Sequence, residues 1–122
     1  MPYMIAVVAP ESAFRLSLRF MLESEGYRVR LLDGLDELSR LAGGNQGVMV
    51  DCIVVDHEIL EERHIPVAEI LEKGCPVILL ANAPDVVPQH AWLRIVEKPL
   101  LGGAVVRAVQ ELLHDERRAH AT

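Results

Sequence analysis

The chain of 122 residues carries 18 acidic and 12 basic side chains, a formal net charge of −6, which argues against a nucleic-acid surface built on clustered Lys and Arg. It is 51% hydrophobic but only 4% aromatic, so one domain-sized core must be built from Val, Leu, Ile and Ala, a composition suited to buried parallel strands. No run reaches the roughly 18 consecutive apolar residues of a membrane span, and Met1-Pro2-Tyr3-Met4 lacks the basic segment of a signal peptide; a cytoplasmic location is expected.

Tyr3 to Ala9 (YMIAVVA) is too short for an ordinary helix and rich in strand formers, which predicts a buried strand. Ser12 can cap a helix running to about Glu25. Within it Phe14, Leu18, Met21 and Leu22 share one face, Arg15, Arg19 and Glu23 share the other, and Gly26 follows as a stop. Tyr27 to Leu32 alternates Tyr, Val and Leu with Arg28 and Arg30, which predicts a strand near a sheet edge. Leu35, Leu38 and Leu41 mark a short amphipathic helix closed by Gly43-Gly44. Val48 to Asp56 holds the third strand, with Cys52 to Val55 as its continuous apolar centre. A helix around Pro66 to Lys73 follows, with proline tolerated in its first turn and Gly74 at its end.

Val77 to Ala81 and Leu93 to Val96 supply the fourth and fifth strands. Between them Pro84 and Pro88 make any helix short or irregular. A last helix spans about Gly103 to His114 with Val105, Val109, Leu112 and Leu113 as its apolar stripe, and 115–122 is expected to fray. Cys52 and Cys75 offer no disulfide framework and no metal-ligand spacing, and buried reduced thiols are expected; a redox link would need their strands to be neighbours. The five histidines are scattered without ligand spacing.

Five strand–helix pairs within one domain, 1–122, imply an α/β fold with a doubly wound parallel sheet and helices on both faces. Functional groups in such sheets gather at the carboxyl ends of the strands, near the topological switch point. The residues there are Ala9-Pro10-Glu11, Asp56-His57-Glu58, Ala81-Asn82 and Glu97-Lys98-Pro99.

The block IAVVAPESAFRLSLRFMLESEGYRV resembles the first strand, helix and second strand of response-regulator receiver domains. PVILLAN at Pro76 to Asn82, IVEKPL at Ile95 to Leu100, and Asp56 at the end of an apolar third strand extend that resemblance over nearly the whole chain. It implies a flavodoxin-like (βα)5 fold with strand order 2-1-3-4-5. It also implies a phosphoryl group received from a histidine kinase on the third-strand aspartate. In such domains an acidic pair after the first strand holds Mg²⁺, while a Thr or Ser after the fourth strand and a Lys after the fifth bind the phosphoryl oxygens. The physical logic is charge neutralisation around the incoming phosphorus.

Residue by residue, Asp56 matches the phosphoacceptor and Lys98 the phosphate-binding lysine. Glu58 matches the position whose backbone carbonyl faces the metal. The departures are Ala9 and Pro10 in place of the acidic pair and Ala81 in place of Thr or Ser. Mg²⁺ wants oxygen ligands, so weakened binding is expected, with Asp56, the Glu58 carbonyl and Glu11 as the remaining candidates. Glu11 reads equally as a helix-start carboxylate favoured by the dipole, and Asp56 as a structural carboxylate paired with Lys98. Ala81 also removes the hydroxyl that would couple to an aromatic residue on the fifth strand, where Leu93 to Ile95 supplies none. Trp92 either anchors an interface exposed by the shortened fourth helix or caps the core. Lys98-Pro99 resembles a step that is often cis in the family, and the sequence leaves its isomer open.

The resemblance implies a stand-alone response regulator rather than an enzyme, with output through protein contact. Its expected partners are a histidine kinase or phosphotransfer protein, a downstream protein and a second copy of itself, with neither nucleic acid nor membrane. Two alternatives stay open: a phosphorylation-independent adaptor, and a small-molecule binding module using a neutral pocket of Ala9, Pro10 and Ala81. Hydrolysis by Asp56 and His57 lacks a third positioned group.

Overall fold

Three apolar runs with no polar interruption set the architecture. The computed structural model describes residues 3–9, 12–42, 50–82, 90–98 and 103–121. In chain order the elements are β1 (Met4–Val8), α1 (Ser12–Glu23), β2 (Arg28–Leu32), α2 (Leu35–Ala42), β3 (Cys52–Asp56), α3 (His57–Glu62), α4 (Val67–Leu71), β4 (Val77–Ala81), β5 (Leu93–Glu97) and α5 (Ala104–Ala121). The strands form one parallel sheet in the order β2-β1-β3-β4-β5. This is the expected flavodoxin-like arrangement, with its switch point between β1 and β3.

Strand alternation divides the core into two layers. Ile5, Val7, Cys52, Val54, Ile78 and Leu80 face one layer, where Leu18 and Leu22 of α1 and Val105, Val109 and Leu112 of α5 cover them. Ala6, Val8, Ile53, Val55, Val77 and Leu79 face the other, under α2, α3 and α4. Each such Val, Leu or Ile contributes about 1.5–3 kcal/mol by leaving water. Cys52 and Cys75 are both buried and belong to opposite layers. Cys75 precedes β4 rather than lying in it, so the two cysteines are not on paired strands.

The helix α1 ends where the sequence supplies Gly26, whose φ of +92° admits a turn that a β-carbon would oppose. The Gly26 and Tyr27 amides return to the carbonyls of Glu23 and Leu22. At the amino end of β3, the Asp51 side chain acts as a strand partner: Met4 donates its amide to Asp51 Oδ2 at 2.8 Å, and the Asp51 amide donates to the Met4 carbonyl.

One helix was expected between β3 and β4, but the structure has two. α3 starts directly at His57, and Pro66 ends the intervening bend, where His64 adopts a left-handed φ of +54°. Proline opposes helix in the preceding residue, so one continuous helix from 57 to 73 is excluded. α5 runs on to Ala121, beyond the end expected near His114. The irregular helix expected between the fourth and fifth strands falls on 83–89, outside the described residues, as do Gly43-Gly44. No described helix is long and apolar enough to cross a membrane.

Candidate functional site

Asp56 is the last residue of β3, 1% exposed, and the only buried charged residue among those described. An isolated carboxylate there would be too costly to keep ionised, so its partners define the site. Lys98 follows β5 and places Nζ 2.6 Å from Asp56 Oδ2, with its own side chain 18% exposed. The other carboxylate oxygen, Oδ1, accepts the Glu58 amide at 2.9 Å. Asp56 is thus both the ion-pair partner of Lys98 and the N-cap of α3. Each oxygen has a donor, and no buried side-chain polar atom among the described residues lacks a partner.

The sheet register explains why residues 42 positions apart meet. Asp56 pairs with Leu80, and Ala81 pairs with Glu97, so the carboxyl ends of β3 and β5 flank that of β4. The Lys98 amide donates to the Ala81 carbonyl at 2.9 Å, which holds the turn out of β5 against the end of β4. Ala81 is 2% exposed and Ala9, just beyond β1, is fully buried. With alanine at both positions, neither strand end supplies a side-chain carboxylate or hydroxyl.

Of the other residues singled out, Glu58 lies in the first turn of α3 with its side chain exposed. Helix amides point toward the N-terminus and carbonyls along the axis toward the C-terminus; α3 therefore turns its Glu58 N–H, not its Glu58 carbonyl, toward Asp56. His57 is half-buried, and its Nδ1 lies 3.0 Å from Glu61 Oε1, one turn along the same helix. Trp92 is half-buried ahead of β5; its amide donates to His90 Nδ1 at 3.0 Å and its carbonyl accepts the Val77 amide. Pro10, Glu11 and Pro99 lie outside the described residues.

These donors do not fit a Mg²⁺ ion. Among the described residues no three His, Cys, Asp or Glu side chains cluster as a metal site. Both Asp56 oxygens are already engaged, and α3 presents amide hydrogens where a cation would need oxygen. Two grooves on the described surface lie between α1 and α5 and between β5 and α5, and neither is lined by Ala9, Asp56 or Ala81.

Sequence reading overlooked the capping role of Asp56. Its signal was an aspartate directly before the helix-forming run HEILEE, the position where a short carboxylate satisfies free helix amides. It also passed over Leu16 and Phe20, which fall off the inward stripe of α1 and are 49% and 76% exposed.

No family model and no curated protein sequence matches the chain. Solved structures do match it. A response-regulator-receiver-modulated diguanylate cyclase from Pelobacter carbinolicus superposes with a TM-score of 0.75 at 17% identity, over 98% of this chain and 99% of that one. The signal receiver domain of an HD-domain-containing protein from Pseudomonas fluorescens gives 0.73 at 15% identity, over 97% and 99%. A CheY-like receiver domain protein from Methanospirillum hungatei gives 0.70 at 17% identity, over 98% and 99%. Strand order, two-sided helical covering and these superpositions agree: the chain has the fold of the response-regulator receiver domains.

Proposed function

We propose that the chain is a receiver module of two-component signalling that acts through protein contact, with the Asp56–Lys98 pair serving as a closed structural lock that needs no divalent cation. One observation carries this reading: Asp56 is buried with both carboxylate oxygens committed, one to the Lys98 ammonium and one to the first turn of α3. A carboxylate so held is a weakened nucleophile toward phosphorus, because the Lys98 ammonium stabilises the negative charge on the oxygen Oδ2 that would attack. The cation that would offset the charge of an incoming phosphoryl group is already spent on the carboxylate itself.

A second reading keeps Asp56 as a phosphoacceptor for a histidine kinase or phosphotransfer protein. What favours it is the meeting of Asp56 and Lys98 at the carboxyl ends of β3 and β5, since a lysine 2.6 Å away could follow the phosphoryl oxygens once the ion pair opened. The two readings separate by intact-mass measurement after incubation with acetyl phosphate, with and without Mg²⁺, alongside Asp56→Asn. The lock predicts no adduct under either condition. A mass increase of one phosphoryl group that is absent in Asp56→Asn would replace the lock by the phosphoacceptor reading.

A further inference from the structure

The sheet ends at β2, and the outer edge of that strand pairs with no described strand. β2 meets β1 in unbroken register, from Arg28 opposite Met4 to Leu32 opposite Val8. The Arg28 amide reaches inward to the Tyr3 carbonyl at 2.9 Å. Backbone polar groups of successive strand residues turn to alternate edges. Arg30 and Leu32 therefore also direct theirs toward β1, while Val29 and Leu31 direct theirs outward. Such an edge is a template for one more strand, unless a bulge or a proline blunts it, and β2 contains neither.

The side chains indicate which strand fits. Val29 and Leu31 lie half-buried against the layer covered by α1 and α5. Arg28 and Arg30 share the opposite face, both exposed and about 7 Å apart along the strand. Neither is ion-paired with another described residue, although the chain as a whole has a net charge of −6. Asp33, just past β2, is held by Arg15 instead. Pairing with the β2 of a second copy about a two-fold axis would bring both pairs of arginines together on one face, and like charges across a strand pair are unfavourable. An extended segment with acidic side chains at alternate positions does the reverse. It completes the outward hydrogen bonds of Val29 and Leu31 and sets a carboxylate beside each guanidinium. We infer that the outer edge of β2 docks an acidic, extended segment of a partner protein as an added strand of the sheet. Such docking supplies the protein contact proposed above and rests on that reading, but not on the state of the Asp56–Lys98 pair.

Fluorescence anisotropy of the full chain with a labelled synthetic peptide that alternates Glu with Thr tests this. Saturable binding with a dissociation constant below about 1 mM is expected, and a Lys–Thr peptide of equal length should not bind. Arg28→Glu combined with Arg30→Glu should weaken binding of the acidic peptide at least about tenfold and turn the preference to the Lys–Thr peptide. Both positions are exposed, so far-UV circular dichroism and the urea midpoint of the double variant should match those of the unaltered chain. Methylating alternate backbone nitrogens of the acidic peptide, on the edge that meets β2, should abolish binding, because the incoming strand loses its donors. Bound peptide should slow amide exchange at Val29 and Leu31 and leave Arg28 and Arg30 as before, since those already face β1. No binding up to about 1 mM overturns the proposal. So does binding that survives methylation on either edge, which would be charge attraction without a strand. Self-association that protects Val29 and Leu31 without any peptide also overturns it, and assigns the edge to a second copy. None of these failures bears on the Asp56–Lys98 pair, which the intact-mass measurement reads separately.

Discussion

The carboxyl end of the sheet and the α1–α5 face are opposites in how they treat their most conspicuous groups. At the sheet end a charged carboxylate is buried and every one of its oxygens is satisfied within the chain. On the helical face an aromatic ring is left 76% exposed. A buried polar group must find its partners internally, because leaving it unpaired costs the full desolvation penalty. An exposed apolar group carries no such compulsion, so it can be left for another molecule. The contrast separates a region that holds the fold from a region available for contact.

The largest expected effect breaks the lock from its cationic side. Lys98→Met leaves Asp56 buried beside a thioether and should destabilise the chain by about 3–5 kcal/mol in urea unfolding. Asp56→Asn should cost less, because the amide oxygen can still cap α3 and the partly exposed Lys98 can turn its ammonium to water. Joining the two changes should recover much of the Lys98→Met loss. Equal costs for both single variants, or no recovery, would mean that the pair does not govern this end of the sheet.

A second test places both halves of the comparison on one helix. Leu18→Ala empties a fully buried position and should cost about 2–5 kcal/mol. Leu16→Ala, two residues away and half exposed, should change the stability of the monomer by less than about 0.5 kcal/mol. Similar losses at both positions would show that the groove is part of the core rather than a surface.

Smaller effects mark the edges of the same division. Arg15 joins α1 to the end of β2, with its guanidinium on the Asp33 carboxylate and on the Leu32 carbonyl. Since Asp33 is 81% exposed, Arg15→Ala should lower stability by no more than about 1 kcal/mol, with a loss that shrinks in high salt. Tyr27 gives the smallest effect. Burial, then the nearby Cys52, Glu25 and Tyr3, raise its phenol above the ordinary value of 10.0. The folded chain therefore holds this proton more tightly than the unfolded chain. Its contribution to stability is complete below the unfolded value and falls as pH rises through the folded one. Urea midpoints measured across that alkaline range should decline for the unaltered chain and decline less for Tyr27→Phe.

Much of the fold could be read from residue order, for a definite physical reason. Runs such as IAVV, CIVV and VILLA are too short for helices and too apolar for a half-solvated sheet, so they must be buried parallel strands. Leu18 and Leu22 fixed the inner face of α1, and Gly26 its end. The bend at His64 was harder to see. Its left-handed backbone has no glycine to announce it; Pro66 does open α4, as its position predicts, but nothing in the residues before it was read as the separate helix α3.

By itself, then, the sequence determined the strands and layers, because hydrophobic period is a local property, and its resemblance to receiver domains marked Asp56 and Lys98 among the residues at the strand ends. Tertiary structure decided how those groups are used. Only the register of β3, β4 and β5 brings Lys98 Nζ to 2.6 Å from Asp56, and only the immediate start of α3 turns the second carboxylate oxygen into a helix cap. The same holds for Phe20. Its place off the inward stripe of α1 is local, but the groove it shares with Val106 and Arg107 exists only because α1 and α5 lie side by side on the sheet.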